Sequence, residues 1–322
     1  MTGGCLPVER DAPPVGFVVP VSDTDDAIVA GLDREKATLR NVVTAALASG
    51  LKQLLEHEPG VRLGGDPEDV HQARVAARRL RSDLRTFRDL LDDHRIGPLR
   101  EELRWLGAEL GTVRNADILL QRLRPQVSSL PAADQRAGGG LLRRLEAERA
   151  AAGSGLVAAL DSDRYGALVE ALTRVSGHPP LRAAADASAR RALPGLVRTP
   201  WRHLATAVDR LGKHPDDDAL HLIRIRVKRV RYAAEAAAPV VGKPAKRFAR
   251  AMADVQSVLG DLQDAVMAEG WLRGAGTRGS PAQALVAGEL IGVQRQAMVA
   301  SRHDWKSTWE GSSSKRLRAW LA

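Results

Sequence analysis

Apolar residues recur every three or four positions along most of the chain, which is the spacing of an amphipathic helix. In residues 71–88, alanine, leucine and phenylalanine fall on one side of a helical wheel and arginines fall on the other. Glycine and proline interrupt this pattern at intervals. The pattern predicts helices over residues 26–57, 67–92, 98–123, 132–161, 163–175, 182–211, 216–240, 243–273, 281–300 and 302–320.

Two of these helices have clear start signals. Asp66 is a suitable N-cap residue before Pro67, since proline is favoured at the first helical position. Pro215 is followed by three aspartates, which interact favourably with the positive end of a helix dipole. We therefore expect the boundaries at these two starts to be well defined.

An internal repeat organises the chain. Residues 71–81 align with residues 221–231 at an offset of 150, and residues 110–111 align with residues 259–260 at an offset of 149. Because the spacing between the two segments is kept, the repeat indicates a duplicated structural unit. We predict two similar helical bundles related by an approximate two-fold axis, with the junction near residues 176–182.

Composition agrees with a helical fold. Only 3% of residues are aromatic, and alanine, leucine and arginine dominate, whereas strands favour β-branched and aromatic residues. We predict an all-α protein in which a proline- and glycine-rich tail over residues 1–25 precedes one domain over residues 26–320. Within that domain, repeat 1 spans about residues 26–176 and repeat 2 about residues 182–320.

The balance of charges indicates an anionic partner. There are 48 Lys and Arg against 39 Asp and Glu, giving a net charge of +9, which suits a nucleic acid, a phosphate polymer or a membrane surface. Cys5 is the only cysteine, so disulfides and cysteine-built metal sites are excluded. No apolar run approaches the roughly 20 residues that span a bilayer, and we expect a cytoplasmic protein that does not bind membranes.

Two predicted helices carry like charges along one face. Residues 71–88 have a charge of +5, and so do residues 221–231, which together exceed the net charge of the chain. Surface helices normally mix the two signs, because like charges three or four residues apart are destabilising. We call the two faces the first and second ridges. The candidate anion-binding residues are His71, Arg74, Arg78, Arg79, Arg81 and Arg85 on the first ridge, and His221, Arg224, Lys228, Arg229 and Arg231 on the second.

Several side chains near the ridges have open or structural interpretations. His71 and His221 either orient neighbouring groups through a hydrogen bond or contact phosphate directly. Glu235 takes the place of Arg85 in the repeat and is expected to neutralise the end of the second ridge. The alternative interpretation of both ridges is an ordinary solvated helix surface.

At these residues the sequence resembles the CHAD family. The motifs are HQARVAARRLRS over residues 71–82, LGTVRNAD over 110–117, LHLIRIRVKRVRYAAE over 220–235 and QSVLGDLQD over 256–264. The resemblance extends from about residue 26 to 320. It implies two four-helix bundles that face each other across a basic cavity, binding of inorganic polyphosphate there, and association with polyphosphate granules.

One position departs from the family pattern. Asn115 stands where the family usually has an aspartate, whereas Asp264 keeps that aspartate in the second repeat. A metal site that needs a carboxylate from each repeat would therefore lack the one at position 115. A dication beside four arginines would also be repelled, so we predict no metal site and no cofactor.

No set of residues typical of catalysis is present. The chain has no G-x-S-x-G, P-loop or H-E-x-x-H motif. Scattered acidic residues are interpreted as solvated faces, Trp105 and Trp201 as core or interface residues, and Gly138–Gly140 as a loop leading into a helix. We predict no catalytic residues.

Three functions remain open at this point. The favoured one is non-catalytic binding of inorganic polyphosphate between the two ridges, since the planar guanidinium group matches phosphate oxygens bidentately. A nucleic-acid-binding protein is the first alternative, although the ridges offer little besides arginine to contact base edges. A metal-dependent phosphohydrolase is the second alternative.

Overall fold

A computed structural model describes residues 35–322 of the chain, and most of these residues are helical. No β-strand occurs in this part, so the prediction of an all-α fold is confirmed. None of its helices is both long enough and apolar enough to cross a bilayer. The predicted tail over residues 1–25, including Cys5, lies outside the described residues.

Ten α-helices occupy the described residues. They are α1 Leu39–Leu63, α2 Pro67–Thr86, α3 Asp93–Ser128, α4 Ala132–Leu160, α5 Asp163–Gly177, α6 Ala189–Asp209, α7 Asp217–Val241, α8 Lys243–Thr277, α9 Pro281–Ser312 and α10 Lys315–Arg318. Short 3-10 helices lie at Arg88–Leu90, Ala183–Asp186 and Ala319–Leu321.

The two predicted start signals act as expected. The Asp66 carboxylate accepts a hydrogen bond from the backbone N–H of Glu68 at 2.8 Å, and α2 begins at the following proline. The Asp216 carboxylate accepts one from the backbone N–H of Ala219 at 2.8 Å, at the start of α7. Each cap satisfies a backbone donor that has no partner within its own helix.

The predicted starts of α1 and α6 were too early. Helix α1 begins at Leu39, where Thr38 forms a capping box with Asn41, rather than at residue 26. Residues 35–38 form a turn and a bridge, and residues 26–34 lie outside the described part of the chain. Helix α6 begins at residue 189 rather than 182, because a 3-10 helix precedes it.

Backbone hydrogen bonds join these two helix starts. Leu39 N–H donates to the Ala187 carbonyl at 3.0 Å, and Ala189 N–H donates to the Ala37 carbonyl at 2.9 Å. The two donors are 150 residues apart, and so are the two acceptors, which is the offset of the sequence repeat. The contact is therefore reciprocal between corresponding positions of the two repeats.

The break between the second and third helices was also misplaced. Helix α2 ends at Thr86 rather than at residue 92, and α3 runs from Asp93 to Ser128 rather than from 98 to 123. Pro98 and Pro125, which flank the predicted segment over residues 98–123, both lie inside α3. Pro98 lies in the second turn of the helix and Pro125 in its last turn, so the helix continues through both prolines.

The predicted break at residue 301 is wrong. A single helix, α9, passes through Ser301 and continues to residue 312. The Ser301 side chain is buried, and Met298 and Trp305 continue the same buried face on either side of it. Packing along this face keeps the helix continuous.

The glycine run over residues 138–140 is not a loop. It lies inside α4, and a Cβ at Gly138 would come within 2.7 Å of Val127 Cγ1 on α3. A Cβ at Gly140 would meet the side chain of Gln283 on α9. The glycines therefore allow α4 to lie close to both neighbouring helices.

The buried side chains form two clusters that do not follow the boundary between the repeats. The larger cluster contains residues of both repeats, including the apolar faces of α2 and α7. The smaller one joins the C-terminal parts of α3 and α8 to α4 and α9. Trp201 lies in the larger cluster and stacks on Trp309 at a centroid distance of 5.5 Å. Trp105 is half-buried and packs against the same cluster.

Candidate anion-binding site

Helices α2 and α7 pack against each other and bring the two ridges together. Their apolar faces are buried as predicted, at Ala73, Ala77, Leu80, Leu84 and Phe87 on the first and Ile223, Val227, Val230 and Ala234 on the second. Arg78 Nε donates a hydrogen bond of 2.6 Å to the Tyr232 hydroxyl. The two ridges therefore meet directly.

Four cationic side chains come together where the ridges meet: Arg74, Arg78, Arg224 and Lys228. We call them the central cluster. Burial lowers the pKa of Arg74 to about 10, and repulsion by Arg78, Arg114 and Arg224 adds to the shift. Burial lowers the pKa of Lys228 to about 6, with further repulsion from the three cluster arginines. The positive charges on each ridge thus make protonation of the side chains on the other ridge less favourable.

The central cluster has little local compensation. No carboxylate lies within 4.0 Å of any of its four side chains in residues 35–322, although many arginines elsewhere in that part form ion pairs. Arg224 Nε is buried and has no hydrogen-bond partner among the described residues. A buried charge without a partner is costly, so the cluster is suited to an anionic ligand.

A glycine lies beneath the first arginine of each ridge. A Cβ at Gly111 on α3 would come within 2.9 Å of Arg74 Nη1, and a Cβ at Gly260 on α8 would come within 3.4 Å of Arg224 Nη2. The Leu-Gly pair that recurs in the sequence therefore marks the place where each guanidinium group lies against the next helix.

The two repeats differ in the polar groups that face these arginines. Arg74 Nη1 is 3.5 Å from Asn115 Oδ1, which is too long for a strong hydrogen bond. Asp264 is the corresponding residue of the second repeat, and it interacts favourably with Arg224 and Arg122. Burial nonetheless raises the pKa of Asp264. The first ridge is thus left with less compensating negative charge than the second.

The two histidines have different surroundings. Burial, followed by repulsion from Arg114, lowers the pKa of His71 to about 4, so this side chain is neutral at pH 7. His221 Nδ1 is 2.6 Å from Gln263 Oε1, which orients its ring. Within the described residues, no group of three or more histidine, cysteine or acidic side chains is arranged to hold a metal ion.

Five of the predicted residues lie farther along the ridges. Burial lowers the pKa values of Arg81 and Arg229, and both are repelled by Arg85. Arg79 is half-buried and interacts with a neighbouring group. Arg231 is buried, and its Nε donates to Glu235 Oε1 at 2.6 Å. Glu235 therefore neutralises Arg231, and this arginine is not presented with the central cluster.

Some residues of the site were not selected from the sequence. Arg114 on α3 repels both Arg74 and His71, although it is absent from the ridge helices. Tyr232 accepts the hydrogen bond that links the ridges. Arg114 occurs in the second family motif, and Tyr232 follows Arg231 in the third. Membership of these motifs was the sequence feature that could have identified both residues.

Two acidic residues of the family motifs lie among arginines inside the fold. Asp117 is buried and accepts a hydrogen bond from Arg149 Nε at 3.0 Å. Asp264 is partly buried beside Arg224 and Arg122. Both compensate positive charge inside the fold, so helical spacing alone did not reveal their environment.

Comparisons with known proteins agree with the helical fold. A model of the CHAD domain family matches residues 45–273. The structure is similar to that of PptA from Streptomyces chartreusis, with a TM-score of 0.72 and 25% identity, over 85% of this chain and 100% of that one. It is also similar to the CHAD domain from the plant Ricinus communis, with a TM-score of 0.70 and 26% identity, over 88% and 94% of the two chains.

Related sequences occur in Mycobacterium tuberculosis. An uncharacterized protein is 34% identical over 239 residues in both strain CDC 1551 / Oshkosh and strain ATCC 25618 / H37Rv. The match covers 70% of this chain and 44% of each relative. The chain therefore spans less than half the length of these curated relatives.

Proposed function

The chain belongs to the CHAD family, and on that premise we propose that it binds inorganic polyphosphate between α2 and α7 without cleaving it. The observation that carries the proposal is the central cluster. Three arginines and Lys228 from two helices meet there, and no carboxylate lies within 4.0 Å of them in the described part of the chain. A polyanion would supply the missing negative charge.

The chemistry of the cluster suits phosphate oxygens. Arginine presents a planar set of donors that can bind two oxygens at once, and charge-assisted hydrogen bonds of this kind are strong. Burial and repulsion lower the pKa of Lys228 to about 6, so this amine adds a compact cation between the arginines when a bound anion favours its protonation. Polyphosphate repeats the same anionic group along its length, so successive phosphates can contact both ridges.

We infer that the two repeats form this site through an approximate two-fold arrangement. Supporting it are the reciprocal hydrogen bonds of Leu39 and Ala189, and the matching positions of Arg74 over Gly111 and Arg224 over Gly260. In an arrangement of this kind, corresponding surfaces face each other. The space between the two ridges is then the basic cavity that receives the polymer.

Binding without cleavage is the simpler use of this site. The nearby carboxylates Asp261 and Asp264 lie among arginines, including Arg224 and Arg122. These cations would repel a divalent metal, which is the usual means of activating water or neutralising a phosphate for hydrolysis. The arginines of the cluster hold anions and, because they stay protonated, provide no nucleophile.

Two measurements test this function. Calorimetric titration with long-chain polyphosphate should give saturable binding that weakens as salt is raised, because binding releases counterions. Polyphosphate should also displace duplex DNA at lower concentration than DNA needs to displace polyphosphate. Preferential binding of DNA would favour the nucleic-acid alternative, and absence of polyphosphate binding would contradict the proposal.

Catalysis is tested separately. The purified chain is incubated with polyphosphate and Mg²⁺ or Mn²⁺, and released phosphate is measured. We expect no release above the protein-free control. Release that is lost in the Arg224→Gln variant would identify the same site as a phosphohydrolase centre and would contradict the non-catalytic assignment.

The same chemistry supports a proposal about location. A long polymer offers many equivalent binding positions, so we propose that the chain associates with cytoplasmic polyphosphate granules. A fluorescent fusion should co-localise with these granules, whereas the fusion carrying Arg78→Glu should remain dispersed. Equal localisation of both fusions would show that the site does not direct the association.

A further inference from the structure

A second group of cations lies beside the central cluster. Arg81 and Arg85 on α2 approach Arg229 on α7, and we call these three residues the outer patch. Burial lowers the pKa of Arg81, with added repulsion from Arg85, Arg104 and Arg78. Burial likewise lowers the pKa of Arg229, with added repulsion from Arg85 and the adjacent Arg226. The patch is thus continuous with the central cluster through Arg78.

The outer patch has no ion-pair partner in residues 35–322. No carboxylate lies within 4.0 Å of its three guanidinium groups there, and the neighbouring Glu101 is paired with Arg104. Glu101 attracts Arg81 only weakly, since the sum of burial and repulsion still lowers the pKa of that arginine. The patch therefore remains cationic next to a site that is itself cationic.

Two of the three corresponding positions neutralise each other. Adding the repeat offset of 150 to Arg81 and Arg85 gives Arg231 and Glu235, which form a buried ion pair at 2.6 Å. Subtracting it from Arg229 gives Arg79, which interacts with a neighbouring group. The cationic surface thus continues from the central cluster over the outer patch. It does not continue over Arg231 and Glu235, which are paired with each other.

We propose that a bound polyanion leaves the central cluster on one side only, over Arg81, Arg85 and Arg229. This inference rests on the proposed function and gives the site a direction. The central cluster holds the first phosphates, and the outer patch holds those that follow in a longer chain. The corresponding residues Arg231 and Glu235 pair with each other and give the polymer no free cation to contact.

Length selection follows from this geometry. Arg74 and Arg85 are 11 positions apart on α2, which corresponds to roughly 16 Å along the helix axis. Tripolyphosphate can occupy the central cluster but cannot extend over the outer patch at the same time. In a long chain the second contact is intramolecular, so it strengthens binding by effective concentration.

The test separates the two groups by chain length. The variant Arg85→Glu/Arg229→Glu reverses charge in the outer patch and leaves the central cluster unchanged. Its matched control is Lys315→Glu/Arg316→Glu, which lowers the net charge equally at two exposed cations of α10, a helix that contacts α8. Arg85→Gln/Arg229→Gln is the milder version, in which no new carboxylate can reach the central arginines.

Affinities for tripolyphosphate and for a long chain are measured by calorimetry at several salt concentrations. We expect the outer-patch variants to bind tripolyphosphate within about twofold of the parent and long chains at least about tenfold more weakly. The salt dependence of long-chain binding should also become shallower, since fewer counterions are released. The control variant should keep most of the long-chain affinity.

Each other outcome is distinct. Unchanged long-chain binding by both outer-patch variants would overturn the directional site. Equal losses in the outer-patch and control variants would show an effect of net charge alone, which also overturns it. Failure of the parent chain to bind either polyphosphate would instead contradict the proposed function itself.

Discussion

Arg78 Nε donates a 2.6 Å hydrogen bond to the hydroxyl of Tyr232, although the two residues are 154 positions apart. The bond fixes the first ridge against the second at the centre of the proposed site. The sequence repeat aligns Arg78 with Lys228 and Tyr232 with Ser82. The corresponding pair, Lys228 and Ser82, therefore lacks the guanidinium and phenol groups that form this bond. The two repeats therefore build one asymmetric site from similar helices.

Gly111 is expected to control the position of Arg74. The variant Gly111→Ala would place a Cβ 2.9 Å from Arg74 Nη1, so the guanidinium group must move. We expect polyphosphate affinity to fall by roughly 3- to 10-fold, while stability changes by less than about 1 kcal/mol because alanine favours the helix. Calorimetry and thermal unfolding measure the two effects.

The matched control is Gly107→Ala on the same helix, where a Cβ would meet nothing within 4 Å. It should gain helix stability and leave affinity unchanged. If the two variants lose the same affinity, the close approach of Arg74 to α3 has no role in binding.

The polar residues facing the ridges should tune affinity in opposite directions. Asn115→Asp places a carboxylate beside Arg74, where it would form an ion pair and compete with phosphate. Asp264→Asn removes the acid that now interacts with Arg224. We expect several-fold weaker binding from the first change and several-fold tighter binding from the second, each measured by titration at fixed pH. Weakening by Asp264→Asn would show that this carboxylate supports the ligand and does not compete with it.

Lys228 should make the ligand-free protein more stable as pH rises above neutrality. Its pKa is about 6 in the folded chain and near its ordinary value of 10.5 when unfolded. Between these values the unfolded chain binds more protons, so the free energy of unfolding increases with pH. The pKa of His71 is lowered from 6.5 to about 4. Between these two pH values, this shift likewise makes the free energy of unfolding increase with pH.

The variant Lys228→Met isolates this effect. We expect it to raise stability at pH 7 by about 1–4 kcal/mol, as when buried ionic groups are replaced by apolar ones, and to flatten the increase between pH 7 and 9. It should also weaken polyphosphate binding. Thermal melts across that pH range provide the check, and a variant less stable than the parent at pH 7 would contradict the burial of an uncompensated amine.

Ligand binding should reverse the pKa shift of Lys228. A bound polyanion favours the charged amine, so binding at pH 7.5 should take up close to one proton more in the parent than in the Lys228→Met variant. Titrations in two buffers of different ionisation enthalpy measure that number. Equal proton uptake by both proteins would place the bound polymer away from Lys228.

The ion pair of Arg231 and Glu235 is expected to be structural. Both side chains are about 90% buried, so Glu235→Ala leaves an uncompensated cation and should cost about 3–5 kcal/mol of stability. The double variant Arg231→Met/Glu235→Ala should recover part of this loss and still bind polyphosphate. A large loss of affinity in the folded double variant would return Arg231 to the binding residues.

The sequence predicted the features that depend on local pattern. The apolar and cationic faces of α2 and α7 follow from helical periodicity, and the recurring Leu-Gly pair showed that a neighbouring helix was repeated with them. Arg114 could not be selected in this way, because its place beside Arg74 depends on how α3 packs against α2. The pairing of Arg231 with Glu235 agrees with the prediction that Glu235 neutralises the end of the second ridge, since a spacing of four residues allows an ion pair on one helix.

Helix boundaries failed for a similar reason. Ser301 carries no signal that distinguishes a turn from a buried position, and α9 continues through it because Met298 and Trp305 pack on the same face. The glycine run over residues 138–140 predicts a loop, but these glycines allow close packing between helices. In both cases tertiary contacts, which the local pattern does not contain, decide the structure.

The central claim is that the two ridges act together on one polymer. It is tested most directly by calorimetric titration of long-chain polyphosphate into the parent chain and into Arg78→Glu, Lys228→Glu and the control Lys315→Glu. We expect the first two variants to lose affinity by similar factors of at least about tenfold, because each change repels the ligand and disrupts joint contact. The control should bind nearly as the parent does. If Lys228→Glu binds long polyphosphate as tightly as the parent, the second ridge is not part of the site and the account is wrong.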